Sequence, residues 1–198
     1  MIEILAALSI SAAAGVRIGL PLLIIGLLYG KDLWAKMPLL SQIHPSILLA
    51  ILVSWSVVEL FLSKRRFGQR MIQIVQLFFS PFVGAIAGIA VARSMATLES
   101  VIWLIGLVGG GLALVLQLVQ VGWFYRLQGL PLWVIFAQDF LCVCLVLFAF
   151  DAPEQGGIIA LLLLWLAIRS SKEWQRWYNE QTDPRDPRHP RRYKQDPD

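Results

Sequence analysis

The chain has 198 residues, of which 58% are hydrophobic and only 15% charged, with a mean hydropathy of +0.68. That apolar share exceeds what soluble domains carry, and the length suits one compact bundle rather than two soluble domains. The basic excess, 17 against 13 acids for a formal charge of +4, reports topology in a membrane protein rather than nucleic-acid binding.

Residues 2–29, IEILAALSISAAAGVRIGLPLLIIGLLYG, are apolar for the depth of a bilayer and read as a membrane-spanning helix. Glu3 and the lack of a basic leader argue against a cleaved signal peptide, although Ala12, Ala13 and Ala14 resemble a cleavage region. Arg17 lies near the centre of the run, at a depth where an arginine costs about 2.5–3.5 kcal/mol on insertion scales. Gly15 and Gly19 flank it and Pro21 follows, so a helix is easiest to break here. As one helix the segment is roughly 40 Å long against a ~30 Å core; tilt, or a break near Gly15, absorbs the excess.

A loop over 30–44 leads to a second span, 45–63, which opens on Pro45 and holds Glu59. Residues 64–80 open with Lys64, Arg65, Arg66 and Arg70. Gln69, Gln73 and Gln76 then recur at helical spacing, opposite Met71, Ile74, Val75 and Phe78. This pattern predicts an amphipathic helix lying in the headgroup region. The third span, 81–98, starts at Pro81 and carries Gly84 and Gly88 four apart, a spacing that lets helices approach closely. The fourth, 100–125, contains the run Gly109, Gly110, Gly111, then Gln117 and Gln120. The fifth, 131–150, holds Gln138 and Asp139. Its Cys142 and Cys144 point to different helix faces and make no metal site alone. The sixth, 156–174, ends in interfacial tryptophan, and the Pro-rich charged tail 175–198 is expected to be disordered.

With six spans and both termini inside, thirteen basic residues fall on the inner side, and only Lys31, Lys36 and Arg93 on the outer. This is the asymmetry of the positive-inside rule. A re-entrant hairpin over 100–125 would move Arg126 and the basic tail outside and is rejected. A re-entrant 2–29 would move only the N-terminus, so the census leaves that alternative open.

Spans one to three and four to six are candidates for an inverted repeat, a common transporter plan with sites at the midplane. Each half opens on an overlong span with a small-residue break, at Ala14-Gly15 and at Gly109, Gly110 and Gly111. Each then carries a proline-initiated span with one carboxylate, Glu59 or Asp139. The carboxylates stand at different distances from their prolines, which weakens the correspondence.

The segment SAAAGVRIGLPLL resembles the domain-of-unknown-function 4126 family of small bacterial multi-pass membrane proteins. VVELFLSK, the Pro81–Gly84 start of span three, GGGLAL and AQDFL follow in matching order, over roughly residues 1–170. The resemblance implies Arg17, Pro21, Glu59, Lys64, Pro81, Gly110 and Asp139 as family-pattern positions. Members often carry acids between Lys64 and Pro81, where this chain has Gln69 and Gln73. The family brings an architecture and no established activity.

For Arg17 two readings stand: an anchor or gate for an anion, held bidentately, or a structural ion pair with Asp139. Asp139 is also a candidate proton carrier. Glu59 is a cytoplasmic-side gate or ion ligand, or a partner of Lys64 or Arg66. Gln117 and Gln120 are ligands or interhelical hydrogen-bond donors. The glycine run exposes backbone to a cavity or permits close packing. His44 reads as a helix-entry residue, and His189 lies in the tail. Lys64, Arg65, Arg66 and Arg70 bind anionic lipid headgroups or only set topology.

The sequence therefore predicts an all-α polytopic membrane bundle of six membrane segments plus one interfacial helix. It points to a small-solute or ion transporter or channel centred on Arg17 and Asp139. The alternative is a non-transporting protein that organises lipids or a partner complex. No enzyme, metal, cofactor or nucleic-acid partner is expected, because no ligand cluster, phosphate loop or nucleophile–histidine pattern occurs. The expected location is a bacterial plasma membrane.

Overall fold

A computed structural model describes residues 2–28, 44–62, 66–95, 99–127 and 132–182. Within them every element is helical: α1 (Ile2–Val16), α2 (Gly19–Leu28), α3 (Pro45–Leu62), α4 (Arg66–Ser94), α5 (Glu99–Leu127), α6 (Leu132–Asp151) and α7 (Pro153–Thr182). Among the described residues three stretches are long and apolar enough to cross a membrane, Met71–Ser94, Ser100–Phe124 and Trp133–Asp151; Ile2–Val16 and Leu49–Val58 are shorter apolar helices. Trp103, Leu107, Trp133 and Phe140 point outward, while alanine, serine and glycine fill the centre. Large apolar outside and small or polar inside is the arrangement that lipid solvent favours. The chain is an integral membrane protein.

α1 is the axis of the bundle and packs against α4, α5, α6 and α7. It can do so because Ala6, Ala7, Ser9, Ser11, Ala12, Ala13, Ala14 and Gly15 are all buried and small, so four neighbours approach it closely. Ser9 Oγ donates to the Leu145 carbonyl at 2.7 Å and Ser11 Oγ to the Gly84 carbonyl at 2.9 Å, tying α1 to α6 and α4.

The glycines set the closest contacts. A Cβ on Gly15 would stand 2.7 Å from the Ala113 Cα, and one on Gly84 would stand 2.5 Å from the Ala113 Cβ. Ala113 of α5 is thus clasped between α1 and α4. Gly109 abuts Ser11, and Gly110 faces the Pro81 carbonyl; Gly111 meets nothing within 4 Å.

Three expectations are corrected here. First, Gly109, Gly110 and Gly111 do not break a helix: α5 runs unbroken from Glu99 to Leu127. The first two glycines permit helix contact instead, so only the first half of the suggested repeat is interrupted. Second, residues 66–80 are not a separate interfacial helix, because α4 is continuous through Pro81 to Ser94. Its glutamine face also points the other way. Gln73 and Gln76 are 8% and 4% exposed, whereas Ile74 and Phe78 are 59% and 65% exposed. Reading glutamine as the outer face assumes water outside; in lipid the polar stripe turns toward the protein. Third, residues 175–182, assigned to the tail, continue α7 to Thr182, and the Pro-rich repeat begins only beyond that point. Lys31, Lys36, Lys64, Arg65, His189 and the tail from 183 lie outside the described residues. Glu59, Arg66 and Arg70 fall on helical backbone, with side chains outside the description.

Candidate functional site

The first apolar run is two helices, α1 and α2, joined at Arg17 and Ile18. Pro21 explains the joint. It lacks the N–H that would bond the Arg17 carbonyl, and it sits in the first turn of α2, where that N–H is not needed. The Arg17 N–H still closes α1 by donating to the Ala13 carbonyl at 2.9 Å. Beyond it, the last carbonyls of α1 and first N–H groups of α2 lose their intrahelical partners.

α6 touches both half-helices, and so carries its carboxylate to the joint. Arg17 Nε stands 2.8 Å from Asp139 Oδ1, the side chains 9% and 28% exposed. The pairing is a close charge contact rather than an aligned hydrogen bond. One turn beyond Asp139, Cys142 Sγ donates to the Ala13 carbonyl at 3.6 Å, so the same carbonyl serves Arg17 and α6.

On the α3 side the joint meets Trp55 and Ser56. A Cβ on Gly19 would lie 2.8 Å from Trp55 Cδ1 and 3.3 Å from Ser56 Oγ. Trp55 Nε1 and Ser56 Oγ are buried without a hydrogen-bond partner. Two donor groups of α3 therefore lie against Gly19, at the start of α2 and two residues after Arg17. Donors of this kind suit a solute that brings oxygen acceptors.

Of the residues expected to form one site, the structure joins Arg17 and Asp139, with Gly15 and Pro21 bracketing them. Gln117 belongs elsewhere, since its Nε2 donates to Gln76 Oε1 at 3.4 Å between α5 and α4. A cleft of about 180 Å³ opens between α5, α6 and α7, with Gln120, Gln138 and Ser170 among its mainly apolar walls. Val16 lines it, but Arg17 and Asp139 do not. Trp123 Nε1 closes part of its rim by donating to Ser170 Oγ at 2.9 Å. Sequence reading missed Trp55, Ser56 and Cys142. Only the cysteine had a usable signal, its place three residues after Asp139 on one helix face.

Among the described residues no three His, Cys, Asp or Glu side chains group as metal ligands. In comparisons with known proteins, the family model for a domain of unknown function (DUF4126) matches residues 4–173. No curated protein and no solved structure gives a significant match.

Proposed function

The chain belongs to the domain-of-unknown-function 4126 family, and on that premise we propose that it is a transporter or channel for a small solute or ion, centred on the Arg17–Asp139 joint. The observation that carries this reading is the coincidence of a buried cation with the break in the helix. A structural arginine needs only a partner. A broken helix inside the membrane also frees backbone groups, and such backbone is tolerated where it is buried in protein or lines a cavity. Transporters place solute and ions at discontinuities of this kind. Here Arg17 anchors the solute, Asp139 holds the guanidinium until the solute competes for it, and Trp55 and Ser56 offer further donors. The role is transport rather than catalysis. The distribution of basic residues supports both termini in the cytoplasm of a bacterial plasma membrane.

A second reading has its own support. The pair is in direct contact and Arg17 is only 9% exposed, as a staple that locks the bundle would be. In that case the basic residues Lys64, Arg65, Arg66 and Arg70 serve anionic lipids or a partner complex. Stopped-flow light scattering on proteoliposomes separates the two, using osmotic challenge with sodium formate, acetate, chloride and phosphate. Transport predicts permeation of at least one salt, lost in the folded double variant Arg17→Leu with Asp139→Leu. Permeation that survives in that variant, or that never exceeds empty liposomes, goes against the transport reading.

A further inference from the structure

Helix directions fix the side from which the joint is reached. α1 runs antiparallel to α6, pairing Ser9 with Leu145, Ala13 with Cys142 and Arg17 with Asp139. It is antiparallel to α4 as well, with Ala7 beside Gly88 and Ser11 beside Gly84. It runs parallel to α5, where Ser11 meets Gly109 and Gly15 meets Ala113, and Leu5 meets Gly157 at the start of α7. The starts of α1, α5 and α7 and the ends of α4 and α6 therefore share one end of the bundle.

That end carries Glu3, Arg93, Glu99, Asp151 and Glu154. Toward the opposite end lie Arg66, Arg70, Arg126, Arg169, Lys172 and Arg176. The positive-inside rule makes the second end cytoplasmic, so Ile2 starts at the outer one. α3 completes the path. Leu62 and Arg66 are four positions apart, at most about 14 Å of chain, so α3 ends on the cytoplasmic side. Its 18 residues rise about 27 Å, which places its start at Pro45 toward the outer side. The chain is outside before α1 and outside again before α3. Between them it reaches Gly15 and Arg17, level with Ala113 in the middle of the span Ser100–Phe124.

We propose that residues 2–28 are a re-entrant hairpin: α1 dips in from the outer face, the chain turns at Arg17 and Ile18, and α2 climbs back beside α3. Re-entrant backbone is tolerated at membrane depth where it is buried in protein or lines a cavity. Both conditions are met here. α1 is packed among four helices, and its last residue, Val16, caps the cleft between α5, α6 and α7. Because α1 stops there, the space beneath it is left to that cleft. The cleft reaches Trp123 and Ser170, beside Arg126 and Arg169, so its far end is the cytoplasmic one. Its volume of about 180 Å³ is many times the ~10–15 Å³ that seats one water, and Gln120, Gln138 and Ser170 offer water hydrogen-bond partners. If the joint is the solute site proposed above, the cleft is its cytoplasmic access route. Relative to the six-span reading only the N-terminus changes sides. The basic-residue census is untouched, since no Lys or Arg precedes Arg17.

The test labels single cysteines in the full-length protein carrying Cys142→Ser and Cys144→Ser, using a membrane-impermeant maleimide on spheroplasts and on inverted vesicles. Ile2→Cys should react in spheroplasts, as Glu154→Cys does, with no labelling above the cysteine-free protein in inverted vesicles. Ser171→Cys and Gln120→Cys should show the reverse. Ile2 and Glu154 are exposed, so their replacement disturbs no packing; Gln138→Cys is the second cleft probe if Gln120→Cys does not accumulate. Labelling after denaturation shows that each thiol is present. Ile2→Cys that reacts only in inverted vesicles, or in neither preparation, would overturn the hairpin. Cleft thiols silent in inverted vesicles would overturn the access route. No solute crosses the membrane in this experiment, so a failed hairpin leaves the permeation result standing, and a failed permeation result leaves the hairpin.

Discussion

Replacing Asp139 by leucine is expected to cost the folded protein about 3–5 kcal/mol, near the upper end of that range, because it takes the carboxylate away from a buried guanidinium. Arg17→Leu should cost less, near the lower end of the range, since Asp139 keeps 28% of its side chain exposed against 9% for Arg17. The double variant should recover most of the loss. Paired apolar replacements of a buried ion pair are often neutral or stabilising, because both desolvation penalties vanish together. SDS titration of the purified protein in mixed micelles measures all four corners of this cycle. Additive single effects would mean that the two side chains do not act on each other.

The second large effect concerns close packing rather than charge. Gly15→Ala should cost about 1–3 kcal/mol or more, because its new Cβ would press on the Ala113 backbone, with Cα at 2.7 Å and the carbonyl oxygen at 2.9 Å. Backbone cannot yield as a flexible side-chain tip would. Gly111→Ala is the matched control: it meets nothing within 4 Å, so the gain in helix propensity should stabilise by up to about 1 kcal/mol. The same titration reads both. A Gly15→Ala protein as stable as the parent would remove the three-helix clasp from the account.

What could be read from the sequence divides along physical lines. Long apolar runs marked where helices lie, because hydrogen-bond geometry and lipid depth act locally, but proline marked a start only in part: Pro45 opens α3, whereas Pro81 lies inside α4. The charges of Arg17 and Asp139 were legible as partners, since two opposite charges in hydrocarbon have few other options. Gly109, Gly110 and Gly111 were ambiguous: glycine serves both to break a helix and to let another approach, and only the neighbours decide, Ser11 and Gly84 for Gly109 and Pro81 for Gly110. The inward face of Gln73 and Gln76 was misread because periodicity gives a direction only once the solvent is known. Trp55 and Ser56 left no trace, since their role comes from contact with Gly19 across the fold.

Arrangement around the joint also explains why the first helix needs its interruption where it is. A continuous helix through Pro21 would lack one hydrogen bond at the Arg17 carbonyl in any case. Ending α1 there places the missing bond in the residue that carries the guanidinium, so the weak point of the backbone and the buried charge both lie against α6.

The most direct measurement is the reactivity of a single thiol at the joint. With Cys142→Ser and Cys144→Ser to clear the background, Ile18→Cys would be exposed to a small anionic, membrane-impermeant thiosulfonate, with Ser171→Cys as the surface control. Transport predicts that the joint thiol reacts, and that Arg17→Leu with Asp139→Leu slows it by removing the cation that draws the reagent in. A joint that stays unmodified while the surface thiol is consumed would contradict a solute site there, leaving Arg17 and Asp139 as a closed structural pair.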